Sequence, residues 1–199
     1  MRYPKEYKNQ ARQRLLDYGA RHAKQHGFAA SGMDAIASAA GVTSGSLYKH
    51  FDSKSSLFAA MIRAELQRTT DLFADGRLRD ADAAKARITA YLSTRHLRHP
   101  ERGCPLPALT AEIARADDTV RAAFDDGLRQ IHKQIKVIAG SSTKAWALLA
   151  QNVGALMLAR AALAPALQQE LLRSARKEAR ASLSQDCSHR SLERKRKML

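Results

Sequence analysis

Apolar residues recur along the chain at the three- and four-residue spacing of amphipathic helices, and no segment alternates as a β-strand would. The first such helix ends at Gly27, where a glycine suits a helix C-terminus. Four more helices are predicted at residues 81–99, 106–115, 117–139 and 143–164, and a last one from Pro165 to about Leu183. With three short segments near the N-terminus, this pattern predicts an all-α fold of about nine helices.

Two of those short segments are joined by a glycine. Ser31, with Asp34 three residues later, fits a variant of the capping box and predicts the start of a second helix. Gly41 ends that helix at a turn where the backbone needs the freedom of glycine. Thr43 or Ser44 then caps a third helix. Two short helices joined by a tight turn and packed on a longer one predict a helix-turn-helix.

The second helix of such a motif lies in the major groove of DNA. Gly45 falls in its first turn, where a glycine lowers helix propensity by about 1 kcal/mol but lets the backbone approach another surface closely. The exposed side chains of this helix carry donors for phosphates and base edges. They are Thr43, Ser44, Ser46, Tyr48, Lys49 and His50.

The remaining boundaries follow from caps and composition. Asp52 or Ser53 caps a fourth helix that begins at Lys54 and ends near Gly76. We therefore predict a DNA-binding domain over residues 1–53 and a helical domain over 54–183, with 54–76 as the connecting helix. Residues 184–199 lose the apolar rhythm and are predicted to form a basic, disordered tail.

Charge narrows the choice of partner. A net charge of +15 and a pI near 10.3 favour a polyanion, either nucleic acid or an acidic membrane surface. The most apolar stretch, 145–159, is shorter than the roughly 20 residues of a membrane span, so no membrane partner is expected. Two cysteines are too few for a disulfide framework and favour a cytoplasmic location.

The stretch "AAGVTSGSLYKHFDSK" and the helix before it resemble the TetR family of bacterial transcriptional regulators. The resemblance covers about the first third of the chain and depends on the order and spacing of Ile36-Ala37, Ala40-Gly41-Val42, Ser44, Gly45, Leu47-Tyr48, His50-Phe51, Ser53-Lys54 and Leu57. It implies that Thr43, Ser44, Gly45, Tyr48, Lys49 and His50 face DNA, with Tyr48 and Lys54 on phosphates. It also implies a C-terminal ligand-binding and dimerisation domain, homodimers on palindromic double-stranded operators, and repression relieved by a small-molecule effector.

The C-terminal half offers candidates for the last two roles. A stripe of small residues on one predicted helix and an apolar stripe on the next predict a four-helix dimer interface. Its members are Ala147, Ala150, Gly154, Ala161, Leu167, Leu171 and Ala175. Candidates for the inducer pocket combine apolar walls with polar anchors. They are Tyr91, Cys104, Phe124, Trp146, Gln151, Asn152 and Met157, although a place in the helical core is the default for each and only some are expected to reach a ligand.

Three further hypotheses stay open or weak. Cys104 precedes a predicted helix and follows Arg102, so its thiol is either an electrophile or oxidant sensor or an ordinary packing residue. His96 and His99 with Cys104 make an incomplete ligand set, so no metal and no cofactor are predicted. No catalytic motif points to an enzyme. The alternative to a specific regulator is an architectural DNA-binding protein that ignores sequence and has no effector.

Overall fold

The computed structural model describes the backbone of residues 5–196 and the side chains of residues 9–183. All regular structure in that part of the chain is helical, which confirms the predicted all-α fold. The first helices are α1 (Lys5–His26), α2 (Met33–Ala39), α3 (Ser44–Tyr48), α4 (Lys54–Phe73) and α5 (Ala81–Tyr91). The others are α6 (Thr94–Arg98), α7 (Leu106–Ile113), α8 (Asp118–Ala139), α9 (Ser142–Ala161) and α10 (Pro165–Arg196), with 3₁₀ turns at Gly76–Arg79 and Pro100–Arg102.

The chain forms two compact units, each of two segments. The first unit contains the chain up to Thr69 together with Pro100–Leu128, and the second contains Thr70–His99 together with Arg129 onward. The first unit therefore holds the predicted DNA-binding domain, most of α4 and all of α7. The predicted functional boundary after residue 53 is a different division and stays a prediction.

The first unit is built on the predicted apolar rhythm. Its core includes Leu15, Ile36, Leu47 and Leu57, whose side chains are fully buried. Close packing of α1 on α4 has a further requirement at Gly19, where an added Cβ would lie 3.0 Å from Met61 Sδ. These contacts hold the two short helices against the longer ones.

Three predicted helix ends are confirmed by left-handed glycines. Gly27 follows α1 with a φ of 86°, Gly41 follows α2 with a φ of 66°, and Gly140 follows α8 with a φ of 78°. A side chain at such a backbone angle costs roughly 1–2 kcal/mol. The next helix after Gly140 is capped by Ser141, whose Oγ accepts from Lys144 N at 3.2 Å.

The predicted capping box at Ser31 is wrong. Gly32 is the N-cap of α2 and makes no side-chain hydrogen bond. Ser31 is buried instead, and its hydroxyl donates to Gly27 O at 2.7 Å while lying 2.9 Å from His22 Nδ1. The hydroxyl thus ties the loop to α1, a tertiary contact that local spacing does not show.

The predicted helix at 81–99 is two helices. The backbone leaves the helical region at Leu92, and Ser93 caps α6 by accepting from His96 N at 3.2 Å. Neither glycine nor proline marks this break in the sequence. The fully buried Leu92 side chain marks the position where core packing outweighs helix continuity.

The predicted end of the last helix near Leu183 is also wrong, because α10 continues to Arg196. The predicted tail at 184–199 is therefore continuous in backbone with α10 as far as residue 196, and its side chains lie outside the described residues. No glycine or proline interrupts residues 184–196, so helix propensity does not stop the helix when the apolar rhythm ends.

In the second unit, α10 packs along both α9 and α5. Leu156 of α9 and Leu172 of α10 are fully buried in that core. Gln151 Nε2 also donates to Ala175 O at 2.9 Å across the two helices. Within the described residues, no helix combines the length and apolarity that crossing a bilayer requires.

Candidate nucleic-acid interface

The recognition helix α3 is anchored on one side and open on the other. Thr43 is its N-cap, with Oγ1 accepting from Ser46 N at 3.2 Å, which selects Thr43 over Ser44 as the predicted cap. Leu47, within α3, and Phe51, just after it, are buried. Because these two residues hold the inner face, the polar side chains between them point away from the core.

The predicted DNA-facing residues differ in exposure. Tyr48 has 54% of its surface exposed, although it is a large aromatic residue. The exposed set is Thr43, Gly45, Tyr48 and Lys49, and the half-buried set is Ser44, Ser46, His50 and Lys54. The structure thus brings all eight candidates together around α3 and the start of α4.

Gly45 is not required by packing within the chain. A Cβ added there would meet no atom within 4 Å, and the residue has no left-handed φ. The glycine accordingly keeps the N-terminal end of α3 flat on its outer side. This is the surface that would need room for another molecule.

Polar contacts hold α2, α3 and α4 in register. The Ser44 hydroxyl donates to the Asp34 carboxylate, which joins α3 to α2. Ser53, the second of the two predicted caps, receives a hydrogen bond from Ser56 N at 3.0 Å and donates its own N–H to Ser56 Oγ at 3.1 Å. The sequence did not predict this pairing, because Ser44 was a candidate N-cap of α3 and Asp34 part of the predicted capping box of α2.

Lys54 is already engaged within the protein. Its ammonium donates to Ala29 O at 2.9 Å and lies 5.2 Å from the centre of the Phe28 ring. That ring stacks on Phe58 with centroids 4.0 Å apart. Lys54 therefore fastens α4 to the loop between α1 and α2, and its predicted phosphate contact stays a prediction.

The same loop is held from a second side by α7. The Glu112 carboxylate accepts from Phe28 N at 2.9 Å and from Ala29 N at 2.7 Å. An added Cβ at Gly27 would lie 2.9 Å from Glu112 Oε1, so this glycine is needed for space as well as for its φ. Sequence reasoning missed Glu112, which lies more than eighty residues along the chain from its partners.

A buried ion pair joins α1 to α4. Lys24 Nζ lies 2.7 Å from Glu65 Oε2 and donates to Gly103 O at 2.9 Å, with both charged side chains at least nine-tenths buried. Arg68 extends the network to Glu65 at 3.0 Å and to Asp17 at 2.6 Å. Partial burial lowers the pKa of Arg68, but the hydrogen bond to Asp17 and the two carboxylate charges outweigh it, so the pKa is raised overall.

The predicted inducer-pocket residues are divided between the two units. Cys104 and Phe124 belong to the first unit, while Tyr91, Trp146, Gln151, Asn152 and Met157 belong to the second. Trp146 is 39% exposed and stacks on His132, and Gln151 is used in the contact with α10. Asn152 is the most pocket-like member, since it is buried and its Oδ1 accepts no hydrogen bond from the described residues. The pocket assignment stays a prediction.

Cys104 is buried immediately before α7. His96 and His99 fall in the other unit, and the described residues contain no group of three or more metal-ligating side chains. The sensing role of Cys104 is not decided by this placement and stays a prediction.

The predicted dimer stripes lie on the outside of the second unit. Ala147, Ala150, Ala161 and Leu167 are exposed, and Gly154, Leu171 and Ala175 are half-buried. Large apolar side chains extend the same surface: Met157 is 38% exposed, Leu158 60% and Leu163 96%. We call the exposed part of this surface, on α9 and the start of α10, the α9–α10 face.

Comparison with known proteins agrees with this geometry. The family profile described as "Bacterial regulatory proteins, tetR family" matches residues 15–61. The chain is 29% identical to the HTH-type transcriptional repressor NemR of Escherichia coli over 131 residues. This alignment covers 64% of this chain and 66% of NemR. It is 40% identical over 91 residues to the HTH-type transcriptional repressor KstR2 of Rhodococcus jostii, covering 44% of this chain and 42% of KstR2.

Solved structures extend the similarity beyond the helix-turn-helix. The crystal structure of reduced Escherichia coli NemR matches with a TM-score of 0.64 and 26% identity, over 85% of this chain and 95% of that one. A regulatory protein TetR from Rhodobacter sphaeroides matches with a TM-score of 0.65 and 27% identity, over 84% and 97%. A helix-turn-helix with an outward-facing recognition helix, followed by a helical domain, defines a DNA-binding transcriptional regulator. Residues 15–61 match the TetR-family profile, and the chain is similar in fold to solved TetR-family regulators over most of its length.

Proposed function

We propose that this regulator is a repressor that binds a palindromic operator as a homodimer and is released by a small-molecule inducer. The observation that carries the proposal is the outer surface of α3, where Gly45 leaves the backbone open and Tyr48 projects from a buried anchor. The relatives NemR and KstR2 are both described as repressors. A two-fold dimer would present two such helices to half-sites on one side of the DNA.

The α9–α10 face supports the homodimer. Small residues let the helices of two protomers approach closely, and the flanking leucines would lose their contact with water on pairing. A two-fold interface must be complementary to itself, and a two-helix face that pairs into a four-helix bundle meets that condition. An inducer would act by favouring a conformation in which the two recognition helices no longer match the half-site spacing.

The first experiment is selection of bound sequences from a random DNA pool by the purified protein at near-physiological salt. We expect enrichment of a palindrome with half-sites about one helical turn apart, roughly 34–36 Å. The recovered operator would then serve as the probe for an inducer screen, in which falling operator affinity identifies the ligand. Binding without enrichment that fades smoothly with salt would favour the architectural alternative.

Residue roles are tested on the recovered operator. Tyr48→Ala is expected to weaken operator binding about tenfold, in the range of one lost phosphate or base contact of 1–3 kcal/mol. Tyr18→Ala is the matched control, because Tyr18 is a similarly exposed tyrosine on α1. Equal affinities for the two variants would remove Tyr48 from the DNA-binding surface.

Lys54→Ala needs a stability measurement beside the affinity, since its ammonium holds the loop at Ala29. Loss of affinity with unchanged unfolding free energy would support the phosphate contact. Loss of both in proportion would make Lys54 a structural residue.

A further inference from the structure

A groove of about 760 Å³ lies in the second unit, on a surface that neither the recognition helix nor the α9–α10 face accounts for. One side is a single face of α5, where Lys85 and Thr89 are four residues apart. The floor turns into the start of α6 at Ser93 and Thr94, and the far side is formed by Arg176 of α10. Its volume falls in the range of small-molecule sites, roughly 300–1,000 Å³.

The groove is strongly positive. Four cationic side chains line it, and they are Lys85, Arg95, Arg176 and Arg180. The single carboxylate is that of Asp82, which lies 3.4 Å from Lys85 with its side chain 91% exposed. A pair this long and this exposed is worth little, so Asp82 offsets a small part of the local positive charge.

Arg176 is held in place without being neutralised. Arg176 Nε donates to Leu172 O at 3.1 Å, which fixes the guanidinium against its own helix while its terminal nitrogens stay available. Among the described residues, neither Arg95 nor Arg176 forms an ion pair with a carboxylate. A guanidinium presents a planar fork of donors that suits carboxylate and phosphate oxygens.

The hydroxyl groups of the groove floor are oriented as donors. Ser93 Oγ accepts from His96 N at 3.2 Å, and Thr94 Oγ1 accepts from Gln169 Nε2 at 3.2 Å. Because each oxygen already accepts a hydrogen bond from the chain, its O–H proton is left to donate elsewhere. The polar side chains of the groove are thus cations and hydroxyl groups, apart from one exposed carboxylate.

We infer that this groove is a binding site for a small polyanion, a molecule with two or more carboxylate or phosphate groups. The cations come from three different helices, so a ligand with more than one anionic group suits them better than a single anion. None of the residues that line this groove is among the predicted inducer-pocket residues, and the inference does not depend on the proposed repressor function.

The test is calorimetric titration of the full chain with citrate and with pyrophosphate at constant ionic strength. We expect saturable binding of at least one probe, with one site per chain. Binding of citrate alone would identify a polycarboxylate site, binding of pyrophosphate alone a phosphate site, and either result supports the inference. No saturable binding of either probe would overturn it.

A matched pair of double variants separates the groove from the general charge of a +15 protein. R95Q/R176Q removes two groove arginines, and R98Q/R173Q removes the same charge from the same two helices outside the groove. We expect the groove variant to weaken binding at least about tenfold and the control to change it less than about twofold, as charge-assisted bidentate contacts predict. Equal losses would show diffuse electrostatic binding and overturn the site.

Two controls keep the result interpretable. K85Q, on α5, should also weaken anion binding. This single variant provides an independent test of the groove if R95Q/R176Q lowers the melting temperature. Operator binding of R95Q/R176Q should match that of R98Q/R173Q. A specific loss of DNA affinity in the groove variant, with unchanged anion binding, would mean that nucleic acid occupies the groove and would overturn the small-molecule inference.

Discussion

The two units of this regulator treat their charged and apolar groups in opposite ways. In the first unit, Lys24 and Glu65 are buried and paired, and Glu112 satisfies two backbone amides of the α1–α2 loop. In the second unit, Leu163 is almost fully exposed and three arginines line one groove. A unit whose polar groups are hydrogen-bonded or paired internally is suited to hold the recognition helix α3 rigidly. Exposed apolar and cationic surfaces are suited to bind partner molecules.

The largest predicted effect is dissociation of the proposed dimer by charges placed on the α9–α10 face. Ala150→Glu combined with Leu167→Glu would place charges of the same sign against each other across a two-fold interface. We expect the dimer dissociation constant to rise by more than about 100-fold, as for loss of central interface contacts. Analytical ultracentrifugation measures this, and Arg173→Glu on α10 is the control that should stay dimeric. A double variant that remains a dimer would place the interface elsewhere.

The next effect compares the ion pairs of the two units directly. Lys24→Met removes the buried partner of Glu65, which then keeps only its contact with Arg68, and is expected to lower the unfolding free energy by up to about 3–5 kcal/mol. Lys85→Met, which breaks an exposed pair, is expected to change it by less than about 0.5 kcal/mol. Urea unfolding of both variants measures the difference.

A double variant sharpens this result. Lys24→Met with Glu65→Leu removes both buried charges and should recover a large part of the lost stability, because no buried carboxylate is left without its lysine partner. Glu65→Leu alone completes the comparison. If the loss of unfolding free energy in the double variant equals the sum of the losses in Lys24→Met and Glu65→Leu, the two residues do not act as a pair.

The smallest effect concerns the α1–α2 loop. Glu112→Ala leaves the amides of Phe28 and Ala29 without their acceptor, and we expect a loss of about 1–2 kcal/mol in unfolding free energy. Glu112→Gln keeps one acceptor oxygen and should lose less. Glu178→Ala, an exposed carboxylate of the second unit, should be neutral, and a comparable loss there would show that the effect is not specific to the loop.

Local features of the sequence were sufficient for most of the helices. Gly27, Gly41 and Gly140 end helices in the left-handed conformation, and Thr43 caps α3, because backbone angles and caps depend on neighbouring residues. The candidate DNA-facing residues could be found for the same reason: Leu47 and Phe51 set the buried side of a short helix. The opposite side then follows from helical geometry.

Prediction failed where a residue's partner is distant in sequence. Ser31 reads as a cap but bonds back to α1, and the break between α5 and α6 lies at the buried Leu92. Nothing in the sequence around Glu112 indicates its role, since the two amides that it accepts from lie in the loop between α1 and α2.

By itself, the sequence determined the helical class, the helix-turn-helix and the residues on the outer side of its second helix, because these depend on periodicity and on local backbone preference. Only the tertiary structure decided that Lys24 meets Glu65, that Glu112 holds the recognition unit's first loop, and that arginines of α6 and α10 line one groove. Those contacts join residues 41 to 84 positions apart or lie on separate helices, and chain folding alone brings them together.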